Sequence, residues 1–425
     1  YGWPGSKVRY FNIDPETTEA MPTPELYSAI IERLHHLVNG EPDYFVYESC
    51  PKDEPTSKVP RLFEAISLPD SILLRMFVLV WYVRFQDDWR NFGCAIGTNV
   101  YSQDWNSIYA FLDGMSTAAI DGDFKEYDKL LDAILEFLVL MHVRNDMKLD
   151  PYLNKHWTDP AKCAEFFASY GIKTPNHLTL LNVFTMLLWR LSSPVYICNG
   201  DVALASGSGP SGNNVTGPSN STKNQGMNVH AYLQRKPPHP YWTMVRAVYY
   251  GDDILSTTKC RWFTFNYLRD YYASHNKKFT PADKGTEGYT FKELKDCEFL
   301  KRQFKYDPAL NRIVGPLSMT SIAKMVNWRV ATKNLTQTQQ EGYLVDCAIL
   351  ELFYHGEEVF KSLHPEFVRA YAEMGKQPPT YEHLKNAIQQ DILNLPKAIN
   401  IAPDIDSWEY LDMLDPTPTT IKKEK

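Results

Sequence analysis

The chain has 425 residues, 44% hydrophobic and 22% charged, which fits a globular protein of two or three sub-domains and excludes wholesale disorder. A net charge of −7 argues against nucleic-acid coating driven by overall charge, although a local basic channel needs no positive total. Seven cysteines (Cys50, Cys94, Cys163, Cys198, Cys260, Cys297 and Cys347) show no C-x-x-C and no Cys/His cluster, so they read as reduced cytosolic thiols rather than a disulfide frame or zinc site.

In chain order, the first half alternates loops with strongly apolar helical runs. The runs at 71–83 (with Arg75 inside it) and 180–191 are too short to cross a bilayer and are expected to be buried helices, with no intrinsic membrane anchor. The segment "STAAIDGDFKEYDKLLDAILEFLVLM" reads as a short apolar strand at 117–120 ending in acids, then an amphipathic helix. Asp123 sits just past that strand, and Asp128 lies five positions on, near the first helical turn, where a carboxylate suits the dipole. Asp121, with Glu126 five positions on, offers a rival register that spacing cannot exclude.

The stretch at 205–224, "ASGSGPSGNNVTGPSNSTKN", has the composition of a flexible linker. If a helix begins after its glycines, Thr216 and Asn220 share a face, and Ser211, Thr216 and Asn220 are hydrogen-bonding groups suited to reading hydroxyls. Gly212 lets backbone approach a ligand closely. The segment lacks G-K-[ST], which disfavours a P-loop ATPase. The N-x-[ST] matches at Asn214, Asn220 and Asn334 are read as chance without a secretory context.

Next comes "YWTMVRAVYYGDDILS", an apolar β-rich run, a short turn and a second apolar run, expected to form a hairpin. Two carboxylates at its tip, Asp252 and Asp253, repel unless a cation neutralises them. A hard divalent cation takes oxygen ligands and completes its shell with substrate phosphates, so this reading requires a further acid at a neighbouring strand end. From about Pro308 onward the apolar spacing is helical, and the last residues are polar and charged.

These stretches form an ordered series that resembles the RNA-dependent RNA polymerases of picornavirus-like (Picornavirales) positive-strand RNA viruses over nearly the whole chain. The segment at 51–71 resembles the basic finger motif, though Pro55 and Thr56 stand where many relatives carry basic residues. "GDFKEYD" resembles the first palm motif; an aromatic commonly follows its first aspartate, and Phe124 selects Asp123 over Asp121. "SGNNVTGPSNS" is similar to the second palm motif and "YGDD" to the third. "FTPADKG" resembles the motif whose lysine lies near the leaving pyrophosphate, and "FLKRQF" the primer-grip hairpin.

The resemblance implies an α+β right-hand polymerase of fingers, palm and thumb, with an antiparallel palm sheet and a mostly helical thumb. The expected divisions are fingers at 1–115 and 147–197, palm at 116–146 and 198–304, and thumb at 305–425. It implies Mg²⁺, with Mn²⁺ able to substitute, held by Asp123 and Asp252 with Asp253 in support, and Lys284 as the acid that protonates pyrophosphate. Lys52, Lys58 and Arg61 would contact the triphosphate. Asp128, Ser211, Gly212, Thr216 and Asn220 would form the ribose and nucleotide site, and Phe299, Leu300, Lys301 and Arg302 the primer grip.

Implied partners are RNA template and primer, nucleoside triphosphates, a genome-linked protein primer and other viral replication proteins. The implied location is the host cytoplasm, at membrane-associated replication complexes reached through those partners. The opening "YGWPGSKVRYF" resembles the middle of the template-entry motif, so the chain is expected to be truncated at its N-terminus. Two alternatives stay open: a reverse transcriptase, for which Tyr127 one residue from Asp128 would serve as an aromatic gate, and a catalytically silent RNA-binding scaffold of the same fold.

Overall fold

Alternation along Ala118–Lys125 organises the centre of the protein. Ile120 and Phe124 enter one apolar core with Tyr249, Ile254 and Phe279, while Ala119 enters the opposite core with Val248, Leu255 and Trp105. The computed structural model describes residues 6–41, 43–52, 61–149, 151–284, 288–328 and 336–389. Lys58 and the side chain of Asp128 lie outside the described residues.

The strand Ala118–Lys125 pairs on one side with Asp253–Thr258, which pairs in turn with Val245–Tyr250. On its other side it pairs with Lys278–Thr280 and Lys292–Glu293, and every pairing in this sheet is antiparallel. The helices Thr216–Leu233 and Phe265–Ser274 supply Met227, Tyr232, Leu268 and Tyr272 to the core on one face. On the other face, Gln103–Asp113 supplies Trp105, Ile108 and Leu112. Each core matches one side of the strand period, so both faces of the sheet are covered.

A second sheet, ordered Leu62–Ile66, Val46–Pro51, Val195–Cys198, Asp201–Leu204, lies in the N-terminal part of the chain. The helices Pro24–Asn39, Leu68–Asp87, Pro160–Ala168 and Leu180–Ser192 build one large core beside it. Beyond the hairpin Lys305–Asp307/Arg312–Val314, the helices Met319–Asn327, Gln337–Phe353, Glu357–Glu373 and Tyr381–Gln389 follow. A small core of Ile349, Phe353, Phe360 and Tyr381 joins the last three.

Two sequence expectations change. The strand expected at 117–120 continues to Lys125, because partners on both sides extend its ladder through the acids. Asp128 falls in the 3₁₀ turn Tyr127–Leu130, and the helix expected to start beside it begins at Ala133. Trp105, Ile108 and Leu112 pack on the central sheet, whereas Leu140, Val143 and Met147 join the N-terminal core. Helical periodicity shows that a helix has a buried face, but not which core receives it.

Candidate active site

Odd-numbered positions of the central strand face away from Ile120 and Phe124, so Asp121 and Asp123 share a face. The register pairs Gly122 with Ile254, and its next step brings Asp123 level with Asp253. Asp253 is paired with Tyr250 across the two-residue turn Gly251–Asp252, where Gly251 takes a φ of 65°. The expected hairpin is therefore present, with Asp252 at its tip.

Packing separates the two rival aspartates. Asp121 has no exposed side-chain surface, and Lys292 Nζ lies 3.0 and 3.1 Å from its two carboxylate oxygens. The Tyr289 hydroxyl (2.6 Å) and the Glu298 backbone N–H (2.8 Å) also donate to that carboxylate. Asp123 keeps 21% of its side chain exposed and pairs with Lys284 Nζ at 3.2 Å. Asp123 is the carboxylate available to a ligand.

Charge converges at this point. Burial pushes the Asp253 carboxyl up to about 7, helped by the negative charges of Asp252 and Asp123; Lys284 and Lys301 pull it down. Three carboxylates and two ammonium groups thus act on one another at one end of the sheet. The acids offer hard oxygen donors whose repulsion a divalent cation would relieve. Among the described residues, no group of three or more His, Cys, Asp and Glu side chains is gathered closely enough to hold a metal ion by itself.

The hairpin turn is clamped from behind. Ser221 Oγ accepts the Gly251 N–H at 2.9 Å, and Asn224 Nδ2 donates to the Gly251 and Asp252 carbonyls at 3.3 and 3.1 Å. Both side chains come from the helix Thr216–Leu233, the segment whose composition reads as a linker. One turn before Asn224, Asn220 is buried, and its Oδ1 accepts from Lys223 Nζ at 3.3 Å. Tyr127 is also buried and donates to the Asn220 carbonyl at 3.0 Å, so its ring packs in the core rather than lining a nucleotide site.

At the head of this helix, Thr216 Oγ1 donates to the Pro210 carbonyl at 2.7 Å. Ser211 Oγ donates to Glu64 Oε2 at 2.7 Å, and Gly212 bridges to Ala65 of the strand Leu62–Ile66. A Cβ on Gly212 would stand 1.9 Å from the Glu64 carbonyl oxygen. The close approach that requires this glycine is thus to protein backbone, where the sequence suggested a ligand. Lys52 and Arg61 flank the residues 53–60, and the Lys52 N–H donates to the Arg61 carbonyl at 2.8 Å.

Phe299 and Arg302 pair across a tight turn in which Leu300 and Lys301 both take positive φ, 54° and 60°. Lys301 is exposed, while Phe299 is buried in the core below the sheet. Arg302 turns inward: it is 7% exposed and makes hydrogen bonds of 2.8 and 2.5 Å to the Glu351 carboxylate. Arg302, expected in a primer-contacting surface, is held in a buried ion pair: Phe299 and Arg302 meet at the buried base of the turn, and Lys301 stands exposed at its tip.

Sequence reading missed Glu64, Ser221, Asn224 and the Asp121–Lys292 pair. The period-four series Thr216, Asn220, Asn224, Asn228 was a usable signal for Asn224. No local signal exists for Asp121 and Lys292, which are 171 positions apart.

Residues 7–374 match the family model described as viral RNA-dependent RNA polymerase. The chain is 27% identical over 400 residues to the replicase polyprotein of acute bee paralysis virus (strain Rothamsted), covering 87% of this chain and 19% of that protein. It is 25% identical over 384 residues to the RNA1 polyprotein of Cycas necrotic stunt virus, covering 84% and 15%. It therefore spans less than a fifth of the length of these relatives. Among solved structures it is similar to the Sicinivirus 3Dpol RNA dependent RNA polymerase, with a TM-score of 0.69 at 19% identity, over 91% of this chain and 74% of that one. That likeness is one of fold.

Proposed function

The chain belongs to the viral RNA-dependent RNA polymerase family, and on that premise we propose that it copies RNA into RNA for a positive-strand RNA virus. The reaction adds ribonucleotides from NTPs to an RNA 3′ end and releases pyrophosphate. The observation that carries this reading is the meeting of Asp123, Asp252 and Asp253 with Lys284 at one end of the central sheet.

Phosphoryl transfer needs positioning and charge neutralisation more than covalent participation by the protein. Asp123 and Asp252 are assigned as the principal metal ligands, with Asp253 in support. Bound there, Mg²⁺, or Mn²⁺ in its place, would activate the primer 3′-hydroxyl and neutralise charge on the leaving pyrophosphate. Lys284 is 68% exposed and able to swing from Asp123 to a phosphate, where it would give its proton to the leaving oxygen. Lys52, Lys58 and Arg61 would take the triphosphate. The turn at Leu300 and Lys301, with Lys301 exposed, would back the primer.

For the sugar, Asp128, Asn220, Thr216 and Ser211 are assigned to read the ribose 2′-hydroxyl. A site built around that hydroxyl leaves polar groups unpaired when a deoxynucleotide enters. The burial of Tyr127 supports this reading over reverse transcription, because its ring is not placed as a gate. No helix among the described residues is long and apolar enough to cross a membrane. We accordingly assign any attachment to membrane-associated complexes in the host cytoplasm to partner proteins, with a genome-linked protein as one candidate primer.

The test is extension of an RNA primer on an RNA template with Mg²⁺ and NTPs. Asp252→Ala should lower the rate by at least about a hundredfold, and dNTPs should be poor substrates for the wild type. Equal extension by wild type and variant would overturn the mechanism.

A further inference from the structure

Lys292 is a largely buried, multiply bonded polar group outside the assigned site. It lies in the short strand Lys292–Glu293, opposite Ala119, and its side chain is 13% exposed. Its ammonium meets both oxygens of Asp121 at 3.0 and 3.1 Å and Asp283 Oδ2 at 2.9 Å, and stands 4.8 Å from the centre of the Tyr289 ring. Burial opposes its charge, but the hydrogen bonds and charges of Asp283 and Asp121 outweigh that cost, and its pKa is raised.

What this ammonium joins is unusual in content. Asp121 lies two residues before Asp123 on the same face of the same strand. Asp283 immediately precedes Lys284 in a turn closed by the Lys284 N–H to the Pro281 carbonyl at 3.1 Å, and Lys284 takes a φ of 55°. The Asp121 carboxylate also accepts the Glu298 N–H, one residue before the turn that carries Lys301. Lys292 therefore ties the strand of Asp123 to the loop of Lys284, and Asp121 links the same strand to the start of the 299–302 turn.

We propose that Lys292 is a positioning residue for nucleotide addition. By bridging Asp121 and Asp283 it fixes the loop 281–284 against the central strand, and so sets where Lys284 Nζ stands relative to Asp123. The inference rests on the polymerase reading above. A merely structural ion pair would affect folding stability and leave the rate of a folded enzyme alone; a positioning residue acts on the rate through Lys284.

The decisive variant is Asp283→Asn, which removes the charge that holds the arm to the loop, at a site 38% exposed, and leaves the Asp121–Lys292 pair intact. Single-turnover nucleotide addition on a preassembled primer–template should slow by about tenfold to a hundredfold. The apparent Kd for NTP should stay within about twofold. In a Lys284→Ala background the same change should cost little more, since both act on one group. Lys292→Met should behave like Asp283→Asn, and Lys292→Arg, which can still bridge two carboxylates, should recover part of the rate. Should Lys292→Met fail to fold, Asp283→Asn decides alone. A wild-type rate in Asp283→Asn, or full multiplication of its effect with Lys284→Ala in an active enzyme, would overturn this inference and leave the polymerase reading standing. No extension by the wild type would overturn both.

Discussion

Asp253 is a carboxylate in a place that disfavours its charge, and this has a measurable signature. Burial and the neighbouring Asp252 and Asp123 raise its pKa to about 7 in the folded protein, above its value in the unfolded chain. The folded state thus holds more protons than the unfolded state between about pH 4 and pH 7, so the contribution of this group to stability is present below that window and lost as pH rises through it. Asp253→Asn should show no such loss. In metal-free buffer, its advantage in Tm over the wild type should grow from pH 4 to pH 7 and then level off, and added Mg²⁺ should narrow the gap by stabilising the wild type more than the variant, which keeps Asp123 and Asp252. A gap independent of pH would show that Asp253 ionises without penalty. The same packing separates Asp123 from Asp121. Spacing leaves both possible, since each has an acid five positions on; burial and the Lys292 contacts remove Asp121 from contention.

The helix Thr216–Leu233 shows where local sequence and tertiary structure part company. Its first turns read Thr, Gly, Pro, Ser, Asn, Ser, Thr, residues that favour turns and caps over helix interiors. It folds as a helix because it is enclosed. Ser219 through Asn224 are all buried, and the hydroxyls of Ser221 and Thr222 bond back to the Gly217 and Pro218 carbonyls at 3.0 and 2.8 Å. Composition reports propensity and cannot report enclosure, so a linker was a fair reading of this stretch. The hairpin at 245–258 was legible for the opposite reason, since β-rich runs around a Gly-Asp turn state their structure locally. Within the helix, Asn224 is the residue that reaches the site. Asn224→Ala would remove two hydrogen bonds to the turn of Asp252 and cost about 1–3 kcal/mol. Its own Oδ1 is buried without a partner among the described residues, which places the loss towards the lower end of that range. Primer extension should fall more than stability predicts, because the turn that carries Asp252 loosens. Denaturant unfolding measured beside extension on the same preparations separates the two effects, and unchanged extension would show that Ser221 alone holds the turn.

At the scale of the molecule, the four apolar cores of the described residues must keep fixed positions for the acids, the lysines and the helical C-terminal part to act on one substrate. The joint between the sheet and the C-terminal helices is a buried charge pair. Arg302, 7% exposed, meets Glu351, 2% exposed, through two hydrogen bonds of 2.8 and 2.5 Å. The Tyr101 hydroxyl donates to Glu351 at 2.5 Å, and the Arg302 guanidinium also donates to the Gly315 carbonyl at 2.7 Å. Removing one partner of a buried pair strands the other charge, so Glu351→Ala should destabilise by about 3–5 kcal/mol. Replacing both, as Arg302→Met with Glu351→Leu, should recover part of that loss, because apolar groups of similar volume carry no desolvation penalty, while the Tyr101 hydroxyl and the Gly315 carbonyl lose these partners. This pair of experiments also decides what Arg302 is for. If its work is to hold the C-terminal helices against the sheet, the double variant should regain primer extension along with stability. If the guanidinium instead contacts the primer, the double variant would be folded and slow, with weaker binding of the primer–template. The inward direction of the side chain points to recovery of both, measured as unfolding free energy and extension rate on the same double variant.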